Sequence, residues 1–276
     1  MPRPIITAAL TGPVATKADN AGMPGSVAEI AAYAKACYEA GASVIHIHLR
    51  DEQGGMTADL DVARRTVEAV REVCPGITQL STGGLQFTYE ERMRIVEARP
   101  AMATLNPCTM TFGTAEFRNP PAKMMELAAR MIELGVKPEV EIYDTGHLDM
   151  MLYLLHKELL VPPLQVSFVM GVRGGMKGDP QLLSYLVREL PEGTSWQVIA
   201  VARANLPMTT IGLAMGGNAR TGMEDTLTLD KGEPAASNLQ LVERLVGIAR
   251  SMQLQPAPAG EVVERLKLHP ELVNGA

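Results

Sequence analysis

Short apolar runs alternate along this chain with longer segments in which apolar residues recur every three or four positions. The first run, Ile5 to Leu10, ends in Thr11-Gly12-Pro13, a combination that favours a turn. A helical pattern follows between Ser26 and Gly41, where Ser26 is a good N-cap residue and Glu29 completes the signature of a capping box. The alternation then repeats, and it predicts eight strand–helix units.

The remaining elements can be read in the same way. Strands are predicted at residues 43–48, 77–81, 101–105, 139–143, 164–170 and 196–201, with a brief eighth strand that ends at Gly217. Helices are predicted at about residues 58–73, 88–97, 121–134, 148–159, 179–190, 207–213 and 237–252. Helical connections between consecutive strands imply parallel pairing, and eight such units in about 250 residues are typical of a (β/α)8 barrel. A doubly wound open sheet is the alternative.

The chain shows no sign of a linker. No low-complexity stretch, charge block or change of composition divides it, so we expect a single domain over residues 1–276. The part from about residue 255 to 276 contains Pro256-Ala257-Pro258 and a short helical pattern at 261–268. We interpret it as a C-terminal arm and expect it to pack on a neighbouring subunit.

Composition and charge narrow the function. Hydrophobic residues make up 46% of the chain but aromatic residues only 4%, so the core must be built from aliphatic and Met side chains. The net charge of −6 argues against a nucleic-acid binder, although a few local Arg and Lys residues could still hold a small anion. The three cysteines form no CxxC pair, and the chain has neither the signature of a signal peptide nor a run of about 20 apolar residues. We therefore expect a cytoplasmic protein without membrane contact.

Two histidines end the second predicted strand. His46 and His48 are separated by one residue, and side chains alternate along a strand, so both imidazoles must point to the same face, about 6 to 7 Å apart. Two neutral ring nitrogens at the catalytic end of a barrel favour a metal site. The candidates for a third ligand are Glu141, Glu224 and Asp225. Two His and one carboxylate, with a fourth position open, are typical of a catalytic rather than a structural site.

Further polar residues are predicted near the same edge of the barrel. Residues 216–225 read as a glycine-rich loop after the eighth strand, in which Arg220 could orient Asp225 or bind a substrate carboxylate. Ser81 and Thr104 close the third and fourth strands. Glu141 lies on the otherwise apolar fifth strand, so it needs a partner or a polar barrel interior.

A second glycine-rich segment follows the sixth strand. Arg173, Gly174, Gly175 and Lys177 could cradle a phosphate through backbone N–H groups and point charges, although the segment matches no P-loop or dinucleotide fingerprint. These four residues are our candidates for binding a phosphate group of a ligand.

Taken together, the motifs resemble those of the beta-keto acid cleavage enzymes over nearly the whole chain. The segments that carry the resemblance are residues 8–12, 40–50, 81–84, 102–106, 138–141, 171–176 and 216–225. The resemblance implies a (β/α)8 barrel that condenses a 3-keto acid with acetyl-CoA and returns acetoacetate and a new acyl-CoA. It also implies a homotetramer with one zinc ion per subunit. With coenzyme A as the implied ligand, the candidates for its site are Arg173, Gly174, Gly175 and Lys177.

The resemblance assigns roles to individual residues. His46, His48 and Glu224 match the family's metal ligands. Ser81, Arg220 and Asp225 match the group that takes a proton from the substrate, and further active-site positions are matched by Thr104 and Glu141.

Two positions depart from the family pattern. Val14 stands where members that act on a 5-amino substrate carry an acidic residue to hold the amine, so we expect such a substrate to be disfavoured. Asn218 stands where members commonly carry His, which we expect to alter contacts with substrate or coenzyme A. Two other functions remain open at this point, a metal-dependent aldolase or lyase that needs no coenzyme A, and a barrel that serves as a binding protein.

Overall fold

The computed structural model describes residues 2–273, and within them eight parallel strands close into a barrel. The strands in chain order are β1 (Ile6–Thr11), β2 (Val44–Ile47), β3 (Ile77–Leu80), β4 (Met102–Leu105), β5 (Met110–Phe112), β6 (Ala115–Phe117), β7 (Lys137–Ile142), β8 (Gln165–Met170), β9 (Ser195–Ala200), β10 (Asn218–Thr221), β11 (Thr228–Asp230) and β12 (Glu233–Pro234). The barrel order is β1-β10-β9-β8-β7-β4-β3-β2, and β1 pairs with both β10 and β2. The predicted (β/α)8 barrel is confirmed, and the open-sheet alternative is wrong because no barrel strand is left at an edge.

Helices connect the barrel strands and cover them on the outside. They are α1 (Val27–Ala40), α2 (Leu60–Val73), α3 (Tyr89–Arg94), α4 (Pro121–Leu134), α5 (Thr145–His156), α6 (Pro180–Arg188), α7 (Asn205–Ala214), α8 (Asn238–Ser251) and α9 (Ala259–Leu266), with short 3-10 turns at Ile95–Ala98, Ala202–Ala204 and Pro270–Leu272. Side-chain caps fix several starts, and the Ser26 hydroxyl accepts from the backbone N–H of Glu29 at the start of α1. A complete capping box begins α3, where Thr88 and Glu91 bond reciprocally.

Alternation along the strands separates an apolar shell from a polar barrel interior. On β7, Val140 and Ile142 join the apolar cluster that packs against the helices. Glu139 and Glu141 point the other way, and Glu139 accepts hydrogen bonds from side chains of β3 and β9 across the interior. Polar side chains on this face can be paired only inside the closed barrel.

Two short antiparallel hairpins were not predicted. β5 pairs with β6 after the fourth barrel strand, and β11 pairs with β12 after the last one. The strands of both are three residues long or shorter, too short for an alternating pattern to stand out. The first hairpin matters for the site because Phe112 and Phe117 form part of the cavity wall.

The eighth strand was predicted to end at Gly217, too early in the chain. The structure places it at Asn218–Thr221, so Gly217 precedes the strand instead of ending it, and Arg220 lies on the strand rather than in a loop. Asn218 lies at the start of the strand, far from the catalytic end, where its side chain accepts from Ile5 N at 2.7 Å and donates to Trp196 O at 2.9 Å. Asn218 is thus held by backbone groups and does not belong to the cavity lining, and its effect on substrate or coenzyme contacts stays a prediction.

The C-terminal arm packs on its own barrel, and the expected contact with a neighbouring subunit stays a prediction. Ala257 N donates to Pro4 O at 2.8 Å, next to the start of β1. The arm adds buried side chains to the main apolar cluster, namely Val262, Leu266, Leu268 and Leu272. Each such side chain stabilises the packing by about 1.5–3 kcal/mol. Residues 274–276 of the predicted arm lie outside the described residues.

No helix within residues 2–273 combines the length and apolar character that crossing a bilayer requires.

Candidate metal centre and active site

Two imidazoles lie side by side at the carboxyl end of β2. His46 is on the strand and His48 follows it directly, and their ring centroids are 5.4 Å apart. Both side chains are buried. The strand geometry thus brings the two rings to one face, slightly closer together than their spacing along the strand.

Glu224 completes a three-residue cluster from the loop after β10. Its Oε2 is 3.1 Å from His46 Nε2 and its Oε1 is 3.4 Å from His48 Nε2. The loop approaches because two glycines make room: a Cβ on Gly12 would lie 2.6 Å from the Glu224 Cγ, and a Cβ on Gly222, at φ +150°, would lie 2.1 Å from Ala9 O. The ligand atoms all lie within 4.8 Å of one another.

The donor set fits a divalent cation. His46 Nε2 and Glu224 Oε2 are buried and face each other at 3.1 Å with no other polar partner, so both atoms can turn to a common ligand. Two imidazole nitrogens and one carboxylate oxygen leave a further coordination position open. His46, His48 and Glu224 therefore form a group that could bind a metal ion, with room for a substrate atom.

Opposing effects act on the two imidazoles. Burial disfavours the charged form of His46, but the Glu224 carboxylate outweighs it, and the pKa of His46 is raised above its ordinary value. For His48 burial dominates, and its pKa is lowered despite the same carboxylate. Burial tends to raise the pKa of Glu224, but Arg220 and the two histidines hold that pKa well below its usual range.

Arg220 links the metal cluster to a second carboxylate. Its Nε and Nη2 donate to the two oxygens of Asp225 at 3.1 and 2.7 Å, and Nη2 also reaches Glu224 Oε1 at 2.7 Å. Both Arg220 and Asp225 are only 2% exposed. Burial raises the pKa of Asp225 even though the guanidinium opposes that rise. A carboxylate of raised pKa that is held in one orientation is suited to act as a base.

Other predicted residues lie around this centre with different surroundings. Ser81 and Glu141 both line the cavity. Ser81 Oγ accepts from Gly83 N at 3.1 Å, and Glu141 Oε2 accepts from the Tyr143 hydroxyl at 3.1 Å. Burial raises the pKa of Glu141. Thr104 is buried, but its hydroxyl accepts from Thr82 N at 3.0 Å and does not contribute to the cavity lining.

Of the four residues predicted to bind phosphate after β8, only Arg173 lines the cavity. Arg173 lines the cavity and its carbonyl accepts from Gly113 N, which ties it to the β5–β6 hairpin. Gly174 and Gly175 pack against the backbone of Thr111 and Tyr143. Lys177, with 81% of its side chain exposed, pairs with Asp179 at 3.1 Å outside the cavity lining.

A cavity of about 560 Å³ opens above the metal cluster and Asp225. Its upper walls are mostly apolar and include Val14, Leu85, Phe112, Val172 and Leu227. Asn106 also lines it, and both polar atoms of this buried side chain lack a hydrogen-bond partner. A pocket with a charged floor and apolar walls suits a small molecule with a polar end and an apolar tail.

Sequence reasoning missed the layer beneath the metal cluster. Gln79 on β3 contacts His46, and Glu139 on β7 contacts Gln79. A polar residue in each of two strands that otherwise read as apolar was the available signal, since such residues must face a polar interior.

Comparison with known proteins finds one matching family and several similar enzymes. The family model described as beta-keto acid cleavage enzyme matches residues 3–268. The 3-keto-5-aminohexanoate cleavage enzyme of Acetoanaerobium sticklandii is 39% identical over 269 residues, which cover 96% of this chain and 98% of that protein. The 3-oxoadipate:acetyl-CoA acetyltransferase of Cupriavidus necator is 34% identical over 248 residues, 88% of this chain and 87% of that protein.

Solved structures support the barrel. The binary complex of ObcA with oxaloacetate superposes with a TM-score of 0.75 at 18% identity and covers 90% of this chain and 67% of that one. At this identity the likeness concerns the fold alone.

Proposed function

This chain belongs to the beta-keto acid cleavage enzyme family, and from that premise we propose that it condenses a short 3-keto acid with acetyl-CoA, releasing acetoacetate and a new acyl-CoA. It would thus be an acyltransferase that cleaves a carbon–carbon bond. The observation that carries the proposal is that the metal-ligand cluster and the buried base lie next to each other on the cavity floor. The metal-ligand cluster and the buried base share Arg220, which binds both Glu224 and Asp225.

We propose zinc as the metal, held by His46, His48 and Glu224. Imidazole nitrogen with one carboxylate is a ligand set that catalytic zinc sites use. When bound, the ion would supply Lewis-acid chemistry that polarises the keto oxygen and makes the C2 proton more acidic.

Asp225 is the group that we assign to removal of that C2 proton. Its carboxylate is buried and fixed by two hydrogen bonds from Arg220, so it needs little reorganisation when it accepts the proton. The C2 carbanion then attacks the thioester carbonyl of acetyl-CoA, so that a carbon–carbon bond forms and the carbon–sulfur bond breaks. The released thiolate attacks the original ketone, and cleavage of the C2–C3 bond gives the new acyl-CoA and acetoacetate, which regains one proton at C2.

The other polar groups at the cavity are assigned to binding. Asn106 offers an unpaired amide, and an unpaired buried amide is costly unless a ligand satisfies it. Ser81 and Glu141 present oxygens to the same space, and we assign them contacts with the keto acid. Thr104 would act through the Thr82 backbone, because its hydroxyl is bound there.

Arg173 is our candidate for an anionic part of coenzyme A. It is exposed at the cavity lining, where a point charge can meet a phosphate, and the backbone of Gly174 and Gly175 continues from it. Lys177 is paired with Asp179, so we assign it a smaller part than Arg173 in binding coenzyme A.

The substrate that fits this cavity is a short, linear 3-keto acid without a 5-amino group. Three carboxylates line the cavity, Glu141, Glu224 and Asp225, and each is already engaged by another side chain. Val14 at the upper wall offers no partner for an ammonium group. Desolvating an unpaired ammonium would cost binding energy.

A panel of 3-keto acids incubated with acetyl-CoA tests the proposal. Mass spectrometry should detect acetoacetate and one new acyl-CoA. His46→Ala should abolish both products, and Asp225→Asn should slow their formation by about 10²- to 10⁴-fold. His156→Ala, on the outer helix α5, is the matched control and should leave turnover unchanged. Cleavage of a keto acid without acetyl-CoA would instead support the aldolase alternative, and no turnover in a wild type that carries zinc would overturn the proposal.

We also propose that residues 1–276 act as one domain, in a cytoplasmic homotetramer. The β1–β10 pairing joins the two ends of the barrel, which supports a single unit. Exposed apolar side chains on the helical surface, including Tyr153, Tyr185 and Leu206, support subunit contacts. Acetyl-CoA is an intracellular metabolite, which supports the location. Light scattering of the purified protein measures the subunit number.

A further inference from the structure

A chain of three buried polar side chains runs from the barrel interior to the metal cluster. Glu139 Oε2 accepts from Gln79 Nε2 at 3.0 Å. Gln79 Oε1 lies 2.7 Å from His46 Nδ1. All three side chains are fully buried, so no solvent is in contact to replace either hydrogen bond.

The chemistry of Glu139 decides how the Gln79 amide is oriented. A carboxylate oxygen can only accept hydrogen bonds, so the neighbouring amide must present its NH2 group to Glu139. The same oxygen of Glu139 also accepts from Gln197 Nε2 at 3.0 Å and from Gln165 Nε2 at 3.5 Å. Rotation of the Gln79 amide by 180° would bring its oxygen against this carboxylate. The observed orientation is therefore the only one without a repulsive contact.

The orientation of Gln79 in turn decides which nitrogen of His46 is free. The amide oxygen that faces Nδ1 is an acceptor, so Nδ1 must carry the proton. In the neutral ring Nε2 then carries the lone pair, and it is this atom that faces Glu224 Oε2 at 3.1 Å in the metal cluster. His48 has no such support, because its Nδ1 is buried and unpartnered.

We propose that Glu139 is a positioning residue that acts through Gln79 to hold His46 in the tautomer and ring orientation that bind the metal. This inference rests on the proposed metal-dependent function, but it concerns the affinity of the site rather than the reaction. Outer partners that fix a ligand histidine change metal affinity by about 10- to 100-fold in other sites.

Three substitutions in the same polar layer separate this role from a general effect on the core. Glu139→Met removes the acceptor that orients Gln79. Glu139→Gln retains an oxygen that can accept in the same place. Gln165→Met is the matched control, because it removes a donor to the same Glu139 oxygen but has no hydrogen bond to His46.

Zinc affinity is measured for each metal-stripped protein by competition with a chromophoric chelator, and folding is checked by thermal unfolding. We expect Glu139→Met to bind zinc about 10- to 100-fold more weakly, and the other two variants to stay within about threefold of the wild type. Equal zinc affinity in Glu139→Met and wild type, or equal losses in Glu139→Met and Gln165→Met, would overturn the inference. A wild type that binds no zinc would instead overturn the proposed function.

A measurement on the unsubstituted protein keeps the test valid if Glu139→Met does not fold. In the zinc-loaded wild type, proton NMR should show the His46 Nδ1–H exchanging with water at least about tenfold more slowly than that of His48. Equal exchange at the two imidazoles would show that Gln79 does not hold His46, and the inference would be wrong.

Discussion

Placing a carboxylate at position 14 should change which keto acid the protein prefers. Val14 lines the cavity and is 74% exposed, so Val14→Glu adds a charge at the mouth without burying it. The loop is held in place because Arg50 Nη2 donates to Gly12 O at 2.7 Å and to Ala15 O at 3.1 Å. The new side chain would therefore start from a fixed backbone, and the free energy of unfolding should change by less than about 0.5 kcal/mol.

The size of the effect follows from the exposure of the site. Opposite charges about 4 Å apart attract by about 4 kcal/mol at an effective dielectric constant of about 20, whereas fully exposed pairs contribute about 0.2–1 kcal/mol. A half-enclosed cavity mouth lies between these limits. We expect about 1–2 kcal/mol, which is roughly a 5- to 30-fold gain in kcat/KM for a substrate with a 5-ammonium group.

The assay compares two substrates that differ in one group, 3-keto-5-aminohexanoate and 3-ketohexanoate, each with acetyl-CoA. The ratio of their kcat/KM values should rise in Val14→Glu and fall again at high salt, because salt screens an exposed charge pair. Val14→Gln controls for shape, and Val161→Glu, at a 55% exposed site outside the cavity lining, controls for added surface charge. The reasoning is refuted if Val14→Gln changes the ratio as much as Val14→Glu, or if neither changes it.

Three further predictions test the base, the arm and a half-buried lysine. Asp225→Asn should lower kcat by about 10²- to 10⁴-fold with zinc content unchanged, and a variant that retains wild-type kcat would exclude Asp225 as the base. Leu266→Ala should lower the free energy of unfolding by about 2–5 kcal/mol in urea, unlike the exposed Glu264→Ala, and equal midpoints would contradict the packing of the arm on its own barrel. Burial and the nearby Lys267 lower the pKa of Lys137 to about 8, so between pH 8 and about 10.4 the unfolded chain binds more protons at this residue and stability rises with pH. The stability advantage of Lys137→Met over wild type should therefore shrink by about 1–2 kcal/mol between pH 7 and 10 in urea titrations, and a constant difference would show that Lys137 titrates normally.

Much of the fold could be predicted because its signals are local. Seven of the eight barrel strands overlap the predicted apolar runs, and α4 has the predicted bounds of Pro121–Leu134. The prediction of the eighth strand was wrong because Asn218 and Arg220 make its sequence polar. Their side chains are paired inside the closed barrel, and a reading of hydrophobicity alone takes such a strand for a loop.

The sequence by itself determined the barrel, the His-x-His pair at a strand end and the residue types of the site, because side-chain period and capping residues act over a few positions. Residue spacing left three candidates for the third ligand, and the family resemblance pointed to Glu224. The tertiary structure brings Glu224 to His46 and His48. Only that structure decided that Arg220 binds both Glu224 and Asp225, and that Thr104 and Lys177 point elsewhere. It also decided that Glu139 orients Gln79. These contacts join residues of different strands, and barrel closure, which sets the register between strands, alone determines which polar groups meet in the interior.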